Sequence, residues 1–537
     1  MHLPRDMANL PPKLLRRLLM GSSGRLHLHA TAKAALKYVR EPGDLFSRIG
    51  GDLLLTAWGE NPFDGNCAAA IATLGDKLPR MDTNLLPVIK SVLAHWRPDV
   101  TPEAQAAMAG EPDEQAEFLR SQVKRAPRNL FWRHHVYELC RITGDWSLLT
   151  STAENRAMPV ELAPLFDFAS ANALLASGEP VTAAGMYRRC ALKLPLPIVQ
   201  ERLTTALLRS GNVQAGAEGV RQCAEARPWN VGLWLRLHDL IEGVAQEAAA
   251  PQGRTAILAY SWNKAADLAE TLDSLETSLL DDVIVRVLDN GSDDDTAEVV
   301  RRFADRFGAD RAELVSLPVN VGAPAARNWL MHLPEVQSCD YAAYIDDDVF
   351  LPSDWLLRLG AAARRYPDAA VWGCKVVDHA GPSRVQCGEH HLSSEHAERE
   401  TSLMSTIMLQ DGDFGQADYL RPCASVTGCV HLFRTDRLLE GGGFDLRFSP
   451  TQYDDLERDL RMVHEGGYAV YQGFLSIRHK RSSGKLSDAG RPESMGAAAN
   501  LCKLMAKYSS EDFERMADAM DRATLEDFQR KTLKLTG

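Results

Sequence analysis

The pattern of apolar positions changes once along the chain, near residue 253. Before that point apolar residues recur at helical spacing, as at Ala32, Ala35, Leu36 and Val39, which predicts amphipathic helices. After it, short apolar runs rich in β-branched residues alternate with helical patterns. Such alternation is typical of strands and helices that build a mostly parallel sheet. We therefore expect an all-α region followed by an α/β region.

The helical half contains a repeat. Gly144, Gly178 and Gly211 recur at intervals of 34 and 33 residues, and Pro195 and Pro228 lie 33 apart. A helical pattern with small apolar residues lies between each later glycine and its proline. This pattern is similar to tetratricopeptide repeats, whose period is about 34 residues. A solenoid of such repeats would hold an extended peptide or a partner helix; a helical spacer or dimerisation module is the alternative.

Composition narrows the class of protein. A chain of 537 residues with 45% hydrophobic and 25% charged residues can form about two large globular units. The net charge of −12 disfavours a nucleic-acid partner, and no apolar run approaches the length of a membrane span. The ten cysteines include no CxxC pair and the N-terminus shows no export signal. Both features favour a cytoplasmic protein with reduced thiols.

Acidic and polar residues follow two of the predicted strands. Residues 341–345 are a predicted buried strand that ends in three aspartates, 346–348, and the predicted strand 283–288 ends in the polar run 289–294. Ligands of open α/β sheets collect at the carboxyl ends of strands. Three adjacent aspartates are tolerable there when a divalent cation lies among them. The sequence therefore predicts a metal site, and a solvated acidic turn before Pro352 is the alternative.

Residues 254–482 resemble the family 2 glycosyltransferases with the GT-A fold, a Rossmann-like α/β arrangement with a mixed, mostly parallel sheet. The resemblance lies in motifs that follow one another in the family's order: Tyr260 with Asn263; Asp289, Asn290, Gly291, Ser292 and Asp294; Asn320, Gly322 and Arg327; Asp346, Asp347 and Asp348; Gly428; Gly442 to Asp445; Asp454, Asp455 and Glu457; and His479. The proline that usually precedes the Tyr-Asn turn is absent. The resemblance covers less than half of the chain.

The resemblance implies a nucleotide-sugar donor and a divalent cation, Mn²⁺ or Mg²⁺, that meets the charge of the departing diphosphate. The metal ligands it implies are Asp346, Asp348 and His479. The substrate-binding residues it implies are Tyr260, Asn263, Asp289, Asn290, Asp294, Asn320, Gly322, Arg327, Asp346 and Asp347. Asp455, with Asp454 as the second choice, is the expected base that takes the proton of the acceptor hydroxyl. One base and one metal-held leaving group imply transfer with inversion.

The expected domains are a helical N-terminal region (1–125), tetratricopeptide-like repeats (126–247), the GT-A domain (253–485) and a C-terminal helical tail (486–537). This combination is similar to bacterial enzymes that glycosylate proteins, including flagellin, so a protein hydroxyl held by the repeats is the expected acceptor. A saccharide acceptor in cell-surface glycan assembly and an inactive scaffold are the alternatives. A nucleotidyltransferase is disfavoured because residues 259–263 contain no glycine for a phosphate loop.

A second group of possible metal ligands lies between residues 378 and 420. It comprises Cys387, His390, His391 and His396. Their spacing matches no standard zinc site. We expect this segment to be a loop region that faces the acceptor.

Overall fold

The computed structural model describes residues 7–75, 78, 85–152, 158–392, 404–405, 411–480 and 492–536. Up to residue 253 the described regular elements are helical. The α-helices of this part are α1 (Pro12–Met20), α2 (Arg25–Leu36), α3 (Leu45–Glu60), α4 (Gly65–Thr73), α5 (Leu85–Ala94), α6 (Pro102–Met108), α7 (Pro112–Arg125), α8 (Leu130–Thr143), α9 (Ser147–Ser151), α10 (Ala163–Ala176), α11 (Pro180–Ala191), α12 (Pro197–Arg209), α13 (Val213–Ala226) and α14 (Val231–Ile241).

The three glycines of the predicted repeat each follow the first helix of a pair. Gly144 ends α8, Gly178 follows α10 and Gly211 follows α12, with φ angles of 74°, 81° and 82°. A left-handed residue of this kind stops a helix and lets the chain reverse, and glycine adopts it at no steric cost. Apolar residues of the second helices, such as Tyr187 and Val220, are fully buried. Helix pairs therefore lie where the repeat predicts them.

After residue 253 strands alternate with helices. The strands are β1 (Thr255–Ser261), β2 (Val283–Asn290), β3 (Ala312–Leu317), β4 (Tyr341–Ile345), β5 (Val349–Phe350), β6 (Val371–Asp378), β7 (Arg384–Cys387), β8 (His391–Leu392), β9 (Met404–Ser405), β10 (Asp411–Gly412), β11 (Leu420–Cys423), β12 (Val430–Arg434) and β13 (Ala469–His479). The helices are α15 (Ala265–Glu276), α16 (Thr296–Phe307), α17 (Ala323–Met331), α18 (Pro334–Gln337), α19 (Trp355–Arg365), α20 (Thr435–Glu440), α21 (Asp454–His464), α22 (Pro492–Lys507) and α23 (Ser510–Thr536).

The main sheet is mixed, with the strand order β10-β7-β6-β12-β4-β1-β2-β3. Its run β3-β2-β1-β4 is parallel throughout, whereas β12 is antiparallel to both β4 and β6. β13 pairs with β6, β5 and β11, and so passes the tip of β4. The expected fold class, a helical region followed by a mixed α/β sheet, is confirmed. The carboxyl ends of the parallel strands β1, β2 and β4 meet at one edge of this sheet, which is where ligands of open α/β sheets collect.

The C-terminal helices join the helical region to the sheet. α23 packs against α14, β11, α21 and α1, and Lys531 Nζ lies 3.1 Å from Asp239 Oδ1 on α14. Arg421 on β11 donates hydrogen bonds to the carbonyls of Leu19 and Met20 at 2.6 and 3.0 Å. The helical region and the sheet therefore share buried contacts.

Two further features bear on the setting of the protein. Within the described residues no helix combines the length and the apolar character that crossing a bilayer would need. The ten cysteines are all free thiols, and Cys502 is the exposed one among them.

Candidate active site

The tip of β4 directs its three aspartates to different partners. Asp347 accepts hydrogen bonds from Ser261 Oγ at 2.7 Å and from Lys264 Nζ at 2.9 Å. Asp348 accepts one from Lys264 Nζ at 2.8 Å, and its other oxygen lies 3.0 Å from His479 Nε2. The exposed fraction of the Asp346 side chain is 25%, and its Oδ1 lies 3.7 Å from Arg327 Nη2. Asp346 is therefore the most open of the three.

Three groups at this tip could bind one metal ion. An oxygen of Asp346, the Sγ of Cys429 and a nitrogen of His479 lie within 4.8 Å of one another. His479 Nδ1 is 2.9 Å from Gln386 Oε1, which leaves Nε2 as the nitrogen that faces Asp348. The structure thus places Asp346 and Cys429 around His479, and Asp348 on the Nε2 of the same histidine.

Burial and neighbouring charges shift the pKa values of this cluster in different directions. Partial burial raises the pKa of Asp346, and Arg327 and His479 oppose the shift. Burial also acts to raise the pKa of Asp348, but His479 and Lys264 outweigh it and hold that pKa well below its usual range. Burial acts to lower the pKa of His479, but Cys429 and Asp348 outweigh it and raise that pKa. Without a metal, Asp348 and His479 therefore form an ion pair.

The two candidate bases at the start of α21 have different environments. Asp454 is buried and paired with Arg327 Nη1, whereas Asp455 is partly exposed and accepts a hydrogen bond from the Gly428 amide at 3.0 Å. Burial raises the pKa of Asp454 against the effect of Arg327. Burial acts in the same direction on Asp455, but Arg327 and His431 lower that pKa. Asp455 is thus the more accessible of the two carboxylates, and its lowered pKa favours the ionised form.

The turn before α21 has unusual backbone geometry. Gln452 and Tyr453 both have positive φ angles, of 76° and 68°, which costs free energy in residues other than glycine. Asn500 on α22 donates hydrogen bonds to the carbonyls of Phe448, Thr451 and Gln452 at 2.8 to 3.0 Å. The C-terminal tail therefore holds the turn that presents Asp454 and Asp455.

Arg327 connects the two halves of the site. It contacts Asp454 on one side and Asp346 on the other. Its guanidinium carbon lies 5.3 Å from the ring centroids of both Tyr260 and Phe444, within the range of cation–π attraction. Arg327 is therefore a buried cation that lies between Asp346, at the tip of β4, and the start of α21, where the candidate base is.

Several predicted substrate-binding residues shape the loops at the ends of β1 and β2. Asn263 Oδ1 accepts from the Asp293 amide at 2.8 Å, and Asp294 accepts from the amides of Ala265 and Thr296 at 3.0 Å. Asp289 accepts from the Ser292 amide at 3.0 Å. Each of these side chains satisfies backbone donors at a turn or helix start, as Asp and Asn commonly do.

A second pair holds the start of α17. Asn290 donates to Asn320 Oδ1 at 2.9 Å, and Asn320 Oδ1 also accepts from the Gly322 amide at 2.8 Å. Gly322 has a φ of 85°, and a Cβ there would lie 3.1 Å from Ser449 Oγ. Only glycine fits this conformation and this space without strain. The turn places Arg327 one helical turn further on.

Negative charge exceeds positive charge at this edge of the sheet. The acidic side chains are Asp346, Asp347, Asp348, Asp454 and Asp455. Among the described residues, the cationic side chains in contact with them are Lys264, Arg327 and the protonated His479. Like charges at this density are stable only with further cations, so the donor set and the local charge both fit a divalent ion.

Two residues of the site, Lys264 and Cys429, were not predicted from the sequence. Lys264 follows Asn263 directly, and its position next to a strand end was the available signal. Cys429 precedes β12, and a lone cysteine carries no spacing signal. Of the second histidine-rich group, Cys387 Sγ lies 3.5 Å from His390 Nε2, His391 lies near Glu389, and His396 lies outside the described residues.

Residues 257–417 match the family model of glycosyl transferase family 2. This segment of the chain is a family 2 glycosyltransferase domain, and together with the mixed sheet it defines a GT-A fold. The match covers less than half of the chain, and the candidate base and His479 lie beyond its end. No curated protein matches the chain.

Solved structures provide distant similarities. A structure of GalNAc-T7 with UDP, GalNAc and Mn²⁺ is 11% identical over 48% of this chain, with a TM-score of 0.38. The mannosyltransferase PcManGT from Pyrobaculum calidifontis, in complex with GDP-Man and Mn²⁺, is 15% identical over 62% of this chain and 87% of its own, with a TM-score of 0.35. This chain covers 50% of the length of GalNAc-T7 in that structure.

Proposed function

We propose that the protein is an inverting, metal-dependent glycosyltransferase that moves a sugar from a nucleotide-sugar donor to an acceptor hydroxyl. The observation that carries the proposal is the convergence of two sets of groups at one sheet edge. Asp346, Asp348 and His479 form the metal-binding set, and Asp455 is the base. Arg327 contacts both sides of this arrangement.

The donor diphosphate needs positive charge as it departs. Asp346, Asp348 and His479, with Cys429 beside them, would hold Mn²⁺ or Mg²⁺. A divalent ion supplies Lewis-acid stabilisation of the leaving diphosphate when bound. Arg327 adds a fixed positive charge near the same place, since its guanidinium lies against Asp346. We place the nucleoside contacts at Tyr260 and Asp289, and the loops that frame the nucleoside at Asn263, Asn290, Asp294, Asn320 and Gly322.

The acceptor hydroxyl loses its proton to Asp455 as its oxygen attacks the anomeric carbon. Asp455 suits this role because its lowered pKa favours the ionised form that can accept a proton and its side chain is partly exposed. Asp454 is held by Arg327 and therefore positions that guanidinium. A single displacement of this kind inverts the anomeric configuration.

We further propose that the acceptor is a protein, held by the helical repeats. Support comes from a groove of about 600 Å³ in the helical region. Its lining includes Leu55 on α3, Leu194 and Leu196 between α11 and α12, and Trp229 just before α14. An apolar groove of this size suits side chains of a bound segment. Ten free thiols are in keeping with a reducing, cytoplasmic setting.

A donor panel tests the catalytic part. Nucleotide sugars are incubated with the full chain and Mn²⁺, Mg²⁺ or a chelator, and thermal shift and donor hydrolysis are measured. At least one donor should stabilise the protein and be hydrolysed only with metal. If every donor fails in both assays, the enzymatic proposal is wrong and a scaffold remains.

A groove variant tests the acceptor part. The partly filling substitution Gln222→Trp should leave donor hydrolysis unchanged but reduce transfer to proteins of a cell extract that lacks the enzyme. Glu225→Gln, an exposed change on the same helix, is the control. Equal transfer by Gln222→Trp and wild type would favour a saccharide acceptor.

A further inference from the structure

The group of possible metal ligands at the tip of β4 includes a sulfur atom. Cys429 Sγ lies within 4.8 Å of ligand atoms of both Asp346 and His479. The Cys429 carbonyl accepts a hydrogen bond from the Asp346 amide at 3.0 Å. Next to this bond, β4 and β12 pair with Ile345 opposite Val430. The backbone therefore fixes Cys429 beside Asp346, independently of any side-chain rotation.

The surroundings of Cys429 differ from those of an ordinary buried thiol. Cys374, one strand away on β6, is fully buried in the apolar cluster that it shares with Ile257 and Trp372, as is usual for a structural cysteine. Cys429 is also buried, with 6% of its surface exposed, and belongs to the same apolar cluster. Its sulfur differs in facing an imidazole and a carboxylate, and the exposed fraction of the Asp346 side chain is 25%. An ion and its remaining ligands can thus reach the sulfur.

His479 is already oriented for coordination. Gln386 Oε1 accepts from His479 Nδ1 at 2.9 Å, which fixes the ring and leaves Nε2 directed at the acidic cluster. Hydrogen bonding of the distant ring nitrogen is the usual arrangement for metal-binding histidines. Asp348 Oδ1 lies 3.0 Å from that Nε2, so it can become a fourth ligand.

We propose that Cys429 is a thiolate ligand of the catalytic metal ion, together with Asp346 and His479. On binding, the Cys429 thiol proton and the His479 Nε2 proton are both released to solvent, and a lone pair on each of these atoms forms a bond to the ion, with no change in oxidation state. A sulfur donor disfavours Mg²⁺, which prefers oxygen ligands, and favours borderline ions such as Co²⁺ or Zn²⁺. The inference deepens the proposed function, since the same ion would serve the donor diphosphate.

Cobalt binding tests the proposal without any substrate. The full chain is stripped with a chelator and titrated with Co²⁺ while the near-ultraviolet absorption is recorded. Wild type and the buried-thiol control Cys374→Ala should show a sulfur-to-cobalt charge-transfer band that saturates at one ion per chain. Cys429→Ser should lack the band. Cobalt binding without the band in wild type, or a band that persists in Cys429→Ser, would overturn the proposal.

Calorimetry gives the metal preference. Cys429→Ser should lower the Co²⁺ affinity by about 10- to 100-fold and leave the Mg²⁺ affinity within about threefold, whereas equal losses for both ions would count against a sulfur ligand. If the serine variant does not fold, X-ray absorption of the cobalt-loaded wild type replaces it. A sulfur neighbour at about 2.3 Å supports the proposal, and a shell of nitrogen and oxygen alone refutes it.

The cobalt experiments and the donor panel can fail independently of each other. A sulfur band together with failure of every nucleotide sugar would leave the metal site in place and remove the glycosyltransferase function. Metal-dependent donor hydrolysis without a sulfur band would support the glycosyltransferase function and exclude Cys429 as a metal ligand.

Discussion

Two regions of the molecule bury many charged side chains, and they differ in how those charges are balanced. Where the helical region meets the sheet, Glu389 pairs with Arg421, and Asp239 pairs with Lys531. At the tip of β4, five carboxylates lie near three cationic side chains, those of Lys264, Arg327 and His479. A buried charge with a matched partner serves the fold, whereas an excess of one sign calls for a ligand.

A second ion-pair group at the same junction follows the balanced pattern. Asp413 lies 2.9 Å from Lys375 and 3.0 Å from Arg209 on α12, and Lys375 also contacts Asp418 at 2.7 Å. Arg236 also lies 3.9 Å from Asp418, so two acids face three bases there and each carboxylate has a cationic partner. The comparison indicates that net charge, rather than the number of buried charges, distinguishes the active-site edge from the junction.

Replacing the candidate base should have the largest effect on activity. Asp455→Asn keeps the side-chain shape but removes the proton acceptor, so we expect turnover to fall by about 10³-fold, within the usual range for general bases. Donor affinity should change by less than about threefold, because the amide keeps the contact with Gly428. Steady-state transfer assays and donor titrations measure both quantities, and the exposed Glu465→Gln is the control. Full turnover in Asp455→Asn would exclude it as the base.

Breaking a matched pair at the junction should have the largest effect on stability. Glu389 is fully buried, and Glu389→Gln leaves Arg421 with an uncompensated charge. We expect the free energy of unfolding to fall by about 3–5 kcal/mol, measured by denaturant titration. Glu440→Gln, at an exposed pair, should change it by less than about 0.5 kcal/mol. Similar values for the two variants would show that the junction does not depend on charge pairing.

In the helical region, nearby groups offset only part of the cost of burying the Asp52 carboxylate. Burial raises the pKa of Asp52 to about 6, although Arg227 and Trp229 oppose the shift. Because the pKa is higher in the folded state than its ordinary value of 3.8, this group stabilises the fold most at low pH. That contribution is lost as the pH rises through about 6.

Asp52→Asn should therefore lose less stability than wild type between pH 4 and pH 8. The difference between the two chains should reach about 3 kcal/mol, since one pKa unit corresponds to about 1.4 kcal/mol. Denaturant titrations at several pH values measure it, with the exposed Glu225→Gln as control. Parallel pH profiles for wild type and Asp52→Asn would contradict this assignment.

Neutralising one acid of the strand-end cluster should have the smallest effect on stability and the opposite sign to that of Glu389→Gln. Asp346→Asn relieves like-charge repulsion, so the metal-free protein should become more stable by about 1 kcal/mol. Added Mn²⁺ should then stabilise the variant less than the wild type. Thermal unfolding with and without metal measures both, and Asp295→Asn is the control. Destabilisation of the metal-free variant would mean that this cluster is balanced after all.

The order of elements and the chemical character of the site follow from local sequence. Helical spacing and the glycines at 144, 178 and 211 predict helix pairs, because turn formation depends on a few neighbouring residues. Runs such as 283–288 and 341–345 predict buried strands for the same reason. Since the carboxyl ends of parallel strands meet at one edge, the sequence also predicts that Asp289 and Asp346 lie near each other.

Tertiary structure alone decided which partners those residues have. The position of β12 between β4 and β6 places Cys429 in the metal cluster, and the pairing of β13 with β5 and β6 brings His479 to Asp348. Asp454 likewise pairs with Arg327, which lies on α17, and not with a residue of its own helix α21. Such contacts join residues more than 80 positions apart. Periodicity and turn preference describe only neighbours along the chain, so they carry no information on these distances.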